Sequence, residues 1–337
     1  MFNFALLQAC VHEISHNTTN CISALQIFRA LANHNLEFKH KMLNYPHLVD
    51  AVVSVEHLEA LLFLQVLSED LPFSVIEKDL KRIVWHHSQL VERLFIAVKS
   101  QNADVVVAGF AIFQNLATNS HIRKEMWDDA HEEFHSRLLK HIRRNIAKGL
   151  QMAVAAVNCL QVLGPEGHRL DESMFEALRM AIQLGEPSVM PALDLLFKYS
   201  EWDVHKTRLL SVPNLVPTLR NLLKNKQSDD AERQLDLERL VLGLLQNLSL
   251  AAPNDARVIA ETPDLIPLVV ERFEALPLQA VSVILFLSKI PDLRNVVLAT
   301  DLQLAERVNK INVTNVKNAA LITSRTRALK DVLMQEI

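Results

Sequence analysis

Two stretches carry the spacing of a zinc site: His12-Glu13-Ile14-Ser15-His16 and His131-Glu132-Glu133-Phe134-His135. On a helix, histidines at i and i+4 share a face and can hold Zn²⁺, with the intervening glutamate as general base. The second copy is followed by His141, where the longer form of this motif has its third ligand. That form needs a glycine to end the helix and swing the third histidine back. Leu138 stands there instead, inside a helical run from Ser136 to Lys148. A continuing helix puts His141 about 9 Å farther along the axis and on another face. His131, Glu132 and His135 are therefore the residues metal chemistry would use, and they are read as polar residues of a helix surface. No metal, cofactor, small-molecule substrate or enzymatic activity is expected.

The other reactive patterns are sparse. His86 and His87 are adjacent, so on a helix they point about 100° apart and chelate together poorly. There is no Cys-x-x-Cys pair for structural zinc and no Gly-x-Ser-x-Gly elbow. Only 6 of 337 residues are Gly, and no glycine-rich phosphate loop occurs. Three cysteines, Cys10, Cys21 and Cys159, sit in apolar contexts and read as reduced, buried residues. They point to cytosol or nucleus. Met1-Phe2-Asn3-Phe4 has no basic n-region, so no secretory signal is expected. The longest apolar run, Val105 to Phe113, is about half the length of a membrane span. A net charge of −4 gives no global field for nucleic acid.

Two features could bind a partner. Arg137, Lys140, Arg144 and Lys148 crowd one helical stretch, and the last three are spaced i, i+4, i+8 as a positive stripe. Such a stripe can meet an acidic helix or phosphates, or face water opposite Leu138, Leu139, Ile142 and Ile146. No aromatic residues interleave with it to stack bases. Asn115 and Asn247 end apolar helical patterns within a repeated block, Gln114-Asn115-Leu116-Ala117 and Gln246-Asn247-Leu248-Ser249, 132 residues apart. Each could meet a bound peptide or bond locally at its helix end.

The elements that must position these residues are helices, since half the chain is apolar and glycine is scarce. Seven apolar helix endings align, at Leu31, Leu67, Leu116, Leu163, Tyr199, Leu248 and Leu287, with a mean spacing near 43 residues. Armadillo and HEAT repeats have periods of about 40–47 residues. The expected fold is all-α, an armadillo/HEAT-like helical repeat solenoid of about seven repeats. It is expected to form one domain over 1–337, with a capping segment at 1–18 and a capping helix at 315–336. Lys41 to Val49, Arg208 to Val216 and Val258 to Ile266 each run a short apolar helix into a proline. A bend and a new helix are predicted after each of Pro46, Pro213 and Pro263.

Three stretches resemble one family. They are Cys21 through Arg29-Ala30-Leu31 to Pro46-His47-Leu48-Val49; Ala192 to Ser200 with Arg208 to Pro213 and Leu244 to Ser249 on to Ala260; and Ala280 to Leu298 with Val313 to Val332. The chain is similar there to the C-terminal armadillo region of the Osa-type large subunit of SWI/SNF chromatin remodellers. The resemblance implies a nuclear, non-enzymatic scaffold in transcription regulation whose protein partners are helices of other remodeller core subunits. The chain has no AT-rich-interaction domain, so no sequence-specific DNA binding is implied. The alternative expectation is a cytosolic armadillo adaptor for peptides or partner helices. Armadillo proteins that read extended peptides pair the asparagine with tryptophan four residues earlier. Ala111 and Gly243 stand at those positions here.

Overall fold

A computed structural model describes residues 4–45, 47–69, 77–87, 89–127, 132–164, 170–300, 304–311 and 318–334. The described residues form 22 α-helices and no strand. Contacts divide the chain into two compact units, Met1–Glu166 and Gly167–Ile337.

The first unit holds α1 (Phe4–Ser15), α2 (Cys21–His34), α3 (Leu36–Leu43), α4 (Leu48–Ser54), α5 (Leu58–Ser68) and α6 (Glu77–Trp85). It continues with α7 (Leu90–Lys99), α8 (Ala103–Ala117), α9 (Ser120–Trp127), α10 (Glu132–Ile146) and α11 (Leu150–Leu163). Every third helix packs on the next: α2 on α5, α5 on α8, and α8 on α11. Beside this row α1 packs on α4, α7 on α10, and α3 on α6.

The second unit holds α12 (Glu172–Gln183), α13 (Val189–Ser200), α14 (Asp203–Ser211), α15 (Leu215–Lys224), α16 (Ala231–Leu248) and α17 (Pro253–Glu261). It ends with α18 (Leu265–Val270), α19 (Pro277–Ser288), α20 (Pro291–Thr300), α21 (Leu304–Asn309) and α22 (Ala319–Met334). The step of three recurs: α13, α16, α19 and α22 form one row, α12, α15 and α18 a second, and α14, α17 and α20 a third.

The seven helix endings read from the sequence all lie in the row of α2, α5, α8 and α11 or in that of α13, α16 and α19. All but Leu31 are buried. Removing a leucine of this kind from water is worth about 1.5–3 kcal/mol, which makes these positions the anchors of the stack.

The proline bends have a common geometry. Val212 and Thr262, each before a proline, are extended, at φ −65° ψ 120° and φ −68° ψ 118°. The residues after the prolines, Asn214 and Asp264, are left-handed at φ 60° and 62°. Leu215 N–H donates to the Val212 carbonyl and Leu265 N–H to that of Thr262, both at 3.2 Å. Proline at the second position and positive φ at the third make these type II turns, which suits Asn and Asp. His47, after the third proline, has φ 62°, and Leu48 N–H reaches the Tyr45 carbonyl; Pro46 itself lies outside the described residues.

Side chains from one helix also cap its neighbour's end. Asn145 of α10 donates to the Val98 carbonyl at 2.8 Å and Lys148 to that of Ser100 at 3.0 Å. Both carbonyls belong to the C-terminal end of α7, where no intrahelical partner exists. In the second unit Arg272 does the same for Leu223 at the end of α15, at 2.7 Å.

Candidate partner-binding surface

The glutamate of the first His-Glu-x-x-His copy is turned to structure. Glu13 accepts a hydrogen bond from the Thr18 hydroxyl, and its carbonyl accepts from Thr18 N–H, closing the turn between α1 and α2. The Thr18 bond lowers the Glu13 pKa from its ordinary value. The rings of His12 and His16 stack at 4.2 Å, and His16 Nδ1 lies 2.9 Å from the His12 carbonyl.

In the second copy His131 and the Glu132 side chain lie outside the described residues. His135 rests against Trp127 at 6.0 Å. Helix α10 runs unbroken past Leu138, which is buried. His141 sits on a different face, tilted against Phe95 at 5.9 Å. What fixes that face is Phe134, whose ring meets Trp85, Phe95 and Phe113 at 5.3–5.9 Å. Phe134, Leu138, His141 and Asn145 follow helical spacing, so the histidine at 135 points away from the one at 141. Among the described residues no group of three or more His, Cys, Asp or Glu could hold a metal ion. Cys10, Cys21 and Cys159 are free and buried, and burial raises the thiol pKa of each.

His87 and His86 divide. His87 bonds Asp50 across to α4, while His86 is exposed. Trp85 donates from its indole to Glu125 at 2.7 Å. The bond from His87 holds the Asp50 carboxyl below its ordinary pKa, with a smaller contribution from His47.

The basic stripe is half committed. Arg137 grips Glu92 with two hydrogen bonds, at 2.6 and 3.0 Å, and lies 4.1 Å above the Phe95 ring. Lys148 caps α7. Lys140 and Arg144 are exposed and form no ion pair among the described residues. They remain available to an acidic partner. Desolvation, then the charges of Arg144, Arg137, Lys140 and Lys99, depress the His141 pKa, so the imidazole adds no further charge to this face at neutral pH.

Asn115 and Asn247 bond backward along their rows. Asn115 Nδ2 donates to the Gln65 carbonyl at 3.3 Å and to Ser68 Oγ at 3.2 Å. Asn247 Nδ2 donates to Ser200 Oγ at 3.0 Å. Both asparagines are partly exposed. Gly243, one turn earlier than Asn247, makes room for Phe197 of α13: a Cβ there would lie 2.9 Å from the phenyl Cε2. A phenylalanine of α13 thus fills the space beside the helix one turn before Asn247.

One cluster has no counterpart in the sequence motifs. Arg325 of α22 lies 5.5 Å from the centroid of the Phe286 ring and bonds Ser282 of α19. It also reaches Gln246 of α16 at 3.5 Å. Lys289 lies over the same ring at 5.8 Å. Residues 79 positions apart meet here, which no local spacing announces. The one available signal was Gln246, inside the repeated block.

No known family model matches this chain, and no curated protein matches its sequence.

Proposed function

We propose that the chain is a non-enzymatic interaction scaffold of armadillo/HEAT type, with about seven repeats, acting in the nucleus as a core-binding component of a chromatin remodeller. The observation that carries the scaffold reading is the step of three, in which each helix of a row packs on the helix three further along, in both units. Each unit then buries its core between successive helices and leaves an extended side-chain surface on the row. Among the described residues no helix is long and apolar enough to cross a membrane.

The resemblance to the Osa-type C-terminal region supplies the rest: partners that are helices of other remodeller core subunits, and no direct sequence-specific DNA contact by this chain. Such helices would bind through a few apolar anchors at i, i+3, i+4 and i+7, with charge setting register. Lys140 and Arg144 are the cations left to do so on α10.

Native co-purification from nuclear and cytosolic extracts in parallel tests this. Recovery of remodeller subunits is the expected result. Recovery of none of them overturns the remodeller reading, and a reproducible set of cytosolic proteins instead selects the adaptor alternative.

A further inference from the structure

In the second unit two neighbouring cations meet no carboxylate among the described residues. Lys289, exposed at the end of α19, and Arg325, partly buried on α22, flank the partly exposed ring of Phe286. Arg325 crosses α19, and its side-chain hydrogen bonds among the described residues, to Ser282 and Gln246, use Nη1 and neutral acceptors. No carboxylate among the described residues pairs with either cation. Two other arginines held in packed surroundings of this unit do meet carboxylates: Arg272 pairs with Glu238 at 3.0 Å and Arg179 with Glu176 at 2.5 Å.

That contrast matters energetically. A charge taken partly out of water needs a compensating partner. The ring face returns only about 0.5–2 kcal/mol. Burial pushes the Arg325 pKa down, the sign of hydration lost without an anion gained. A guanidinium has five N–H donors in a fork that matches a carboxylate.

We propose that Phe286, Lys289 and Arg325 form a docking patch for an acidic peptide segment of a partner protein, a carboxylate of which completes the Arg325 fork. Charge complementarity selects that occupant. A nucleic-acid strand would instead call for a row of rings along a cationic groove, and a single ring stands here. The patch rests on the scaffold reading and narrows its partners to those presenting Asp or Glu.

The test is fluorescence anisotropy of the full chain with a labelled peptide of alternating Glu and Ala. A Gln–Ala peptide and a labelled oligothymidine serve as comparisons. The Glu peptide is expected to bind, more weakly as salt rises, and the Gln peptide to bind at least about tenfold more weakly. Arg325→Gln is expected to weaken the Glu peptide about tenfold and Lys289→Gln about threefold. The Lys289 side chain makes no hydrogen bond among the described residues, so its variant decides the matter if Arg325→Gln fails to fold. Equal binding of both peptides, or unchanged affinity in Lys289→Gln and in folded Arg325→Gln, overturns the proposal. So does tighter binding of oligothymidine, which would assign the patch to nucleic acid. The two readings fail separately: partners that co-purify with wild type but ignore both substitutions remove the patch and leave the scaffold. A wild-type chain that recovers no partner removes the scaffold, and the peptide titration then judges the patch alone.

Discussion

Asn247 hands its amide proton to Ser200 at 3.0 Å, and 132 residues earlier Asn115 does the same to Ser68 at 3.2 Å. Each serine is fully buried and donates its own hydroxyl proton to the carbonyl three residues back, in its own helix. The pair links the end of one row helix to the end of the next. Its recurrence at the same offset in each unit makes the repeated Gln-Asn-Leu block a structural fastening between successive helices of a row.

Breaking that fastening has a defined cost. Asn247→Ala is expected to lower stability by about 1 kcal/mol, the net worth of a part-buried hydrogen bond. Combining it with Ser200→Ala should reveal a coupling of about 0.5–1.5 kcal/mol. Urea unfolding of the four chains measures both; strict additivity would show that the bond contributes nothing.

The close approach of Phe197 to Gly243 predicts a steric effect. Gly243→Val places side-chain atoms where the Phe197 ring lies, since a bare Cβ already comes within 2.9 Å of it. A loss of about 1–3 kcal/mol is expected. Adding Phe197→Ala should recover part of the loss in the same unfolding assay, whereas a simple helix-propensity effect would make valine at 243 harmless.

The type II turns predict a backbone effect. Asn214 is left-handed at φ 60°. Asn214→Gly should leave the thermal midpoint nearly unchanged. Asn214→Ala should lower stability by about 1–2 kcal/mol, because a Cβ without a polar tip disfavours this region.

Asp50 predicts a pH dependence. Its folded pKa lies below the unfolded value of about 3.9, chiefly through the bond from His87. The unfolded chain therefore binds the proton more readily. The stabilisation is present above pH about 4 and is lost as pH falls through the folded pKa. NMR titration should show a depressed Asp50 midpoint that returns upward in His87→Ala.

Zinc binding is open to direct measurement. The purified chain is expected to carry well below one equivalent of zinc, since His135 and His141 point from different faces of α10 and Glu13 is engaged by Thr18. A full equivalent by elemental analysis, lost in His135→Ala, would revive the hydrolase reading.

The sequence by itself determined the all-helical class and the place of several helix ends and bends. Apolar spacing of 3.6 residues, scarce glycine and the prolines at 213 and 263 are local signals, and local torsions answer to them. Periodicity also marked Leu67, Leu116, Leu163 and Leu248 as anchors, because a buried row repeats the same apolar residue at the same place. The destination of each polar side chain was decided only by the tertiary structure. Asn115 could have faced a ligand or a neighbour, and stacking α8 on α5 brought Ser68 within its reach. Arg137 and Lys148 looked equivalent to Lys140 and Arg144 until α7 packed beside α10 and took the first two. Arg325 meets Phe286 and Gln246 for the same reason. A side chain's partner across helices depends on their register, and register comes from many contacts distant in sequence, which no short spacing along the chain encodes.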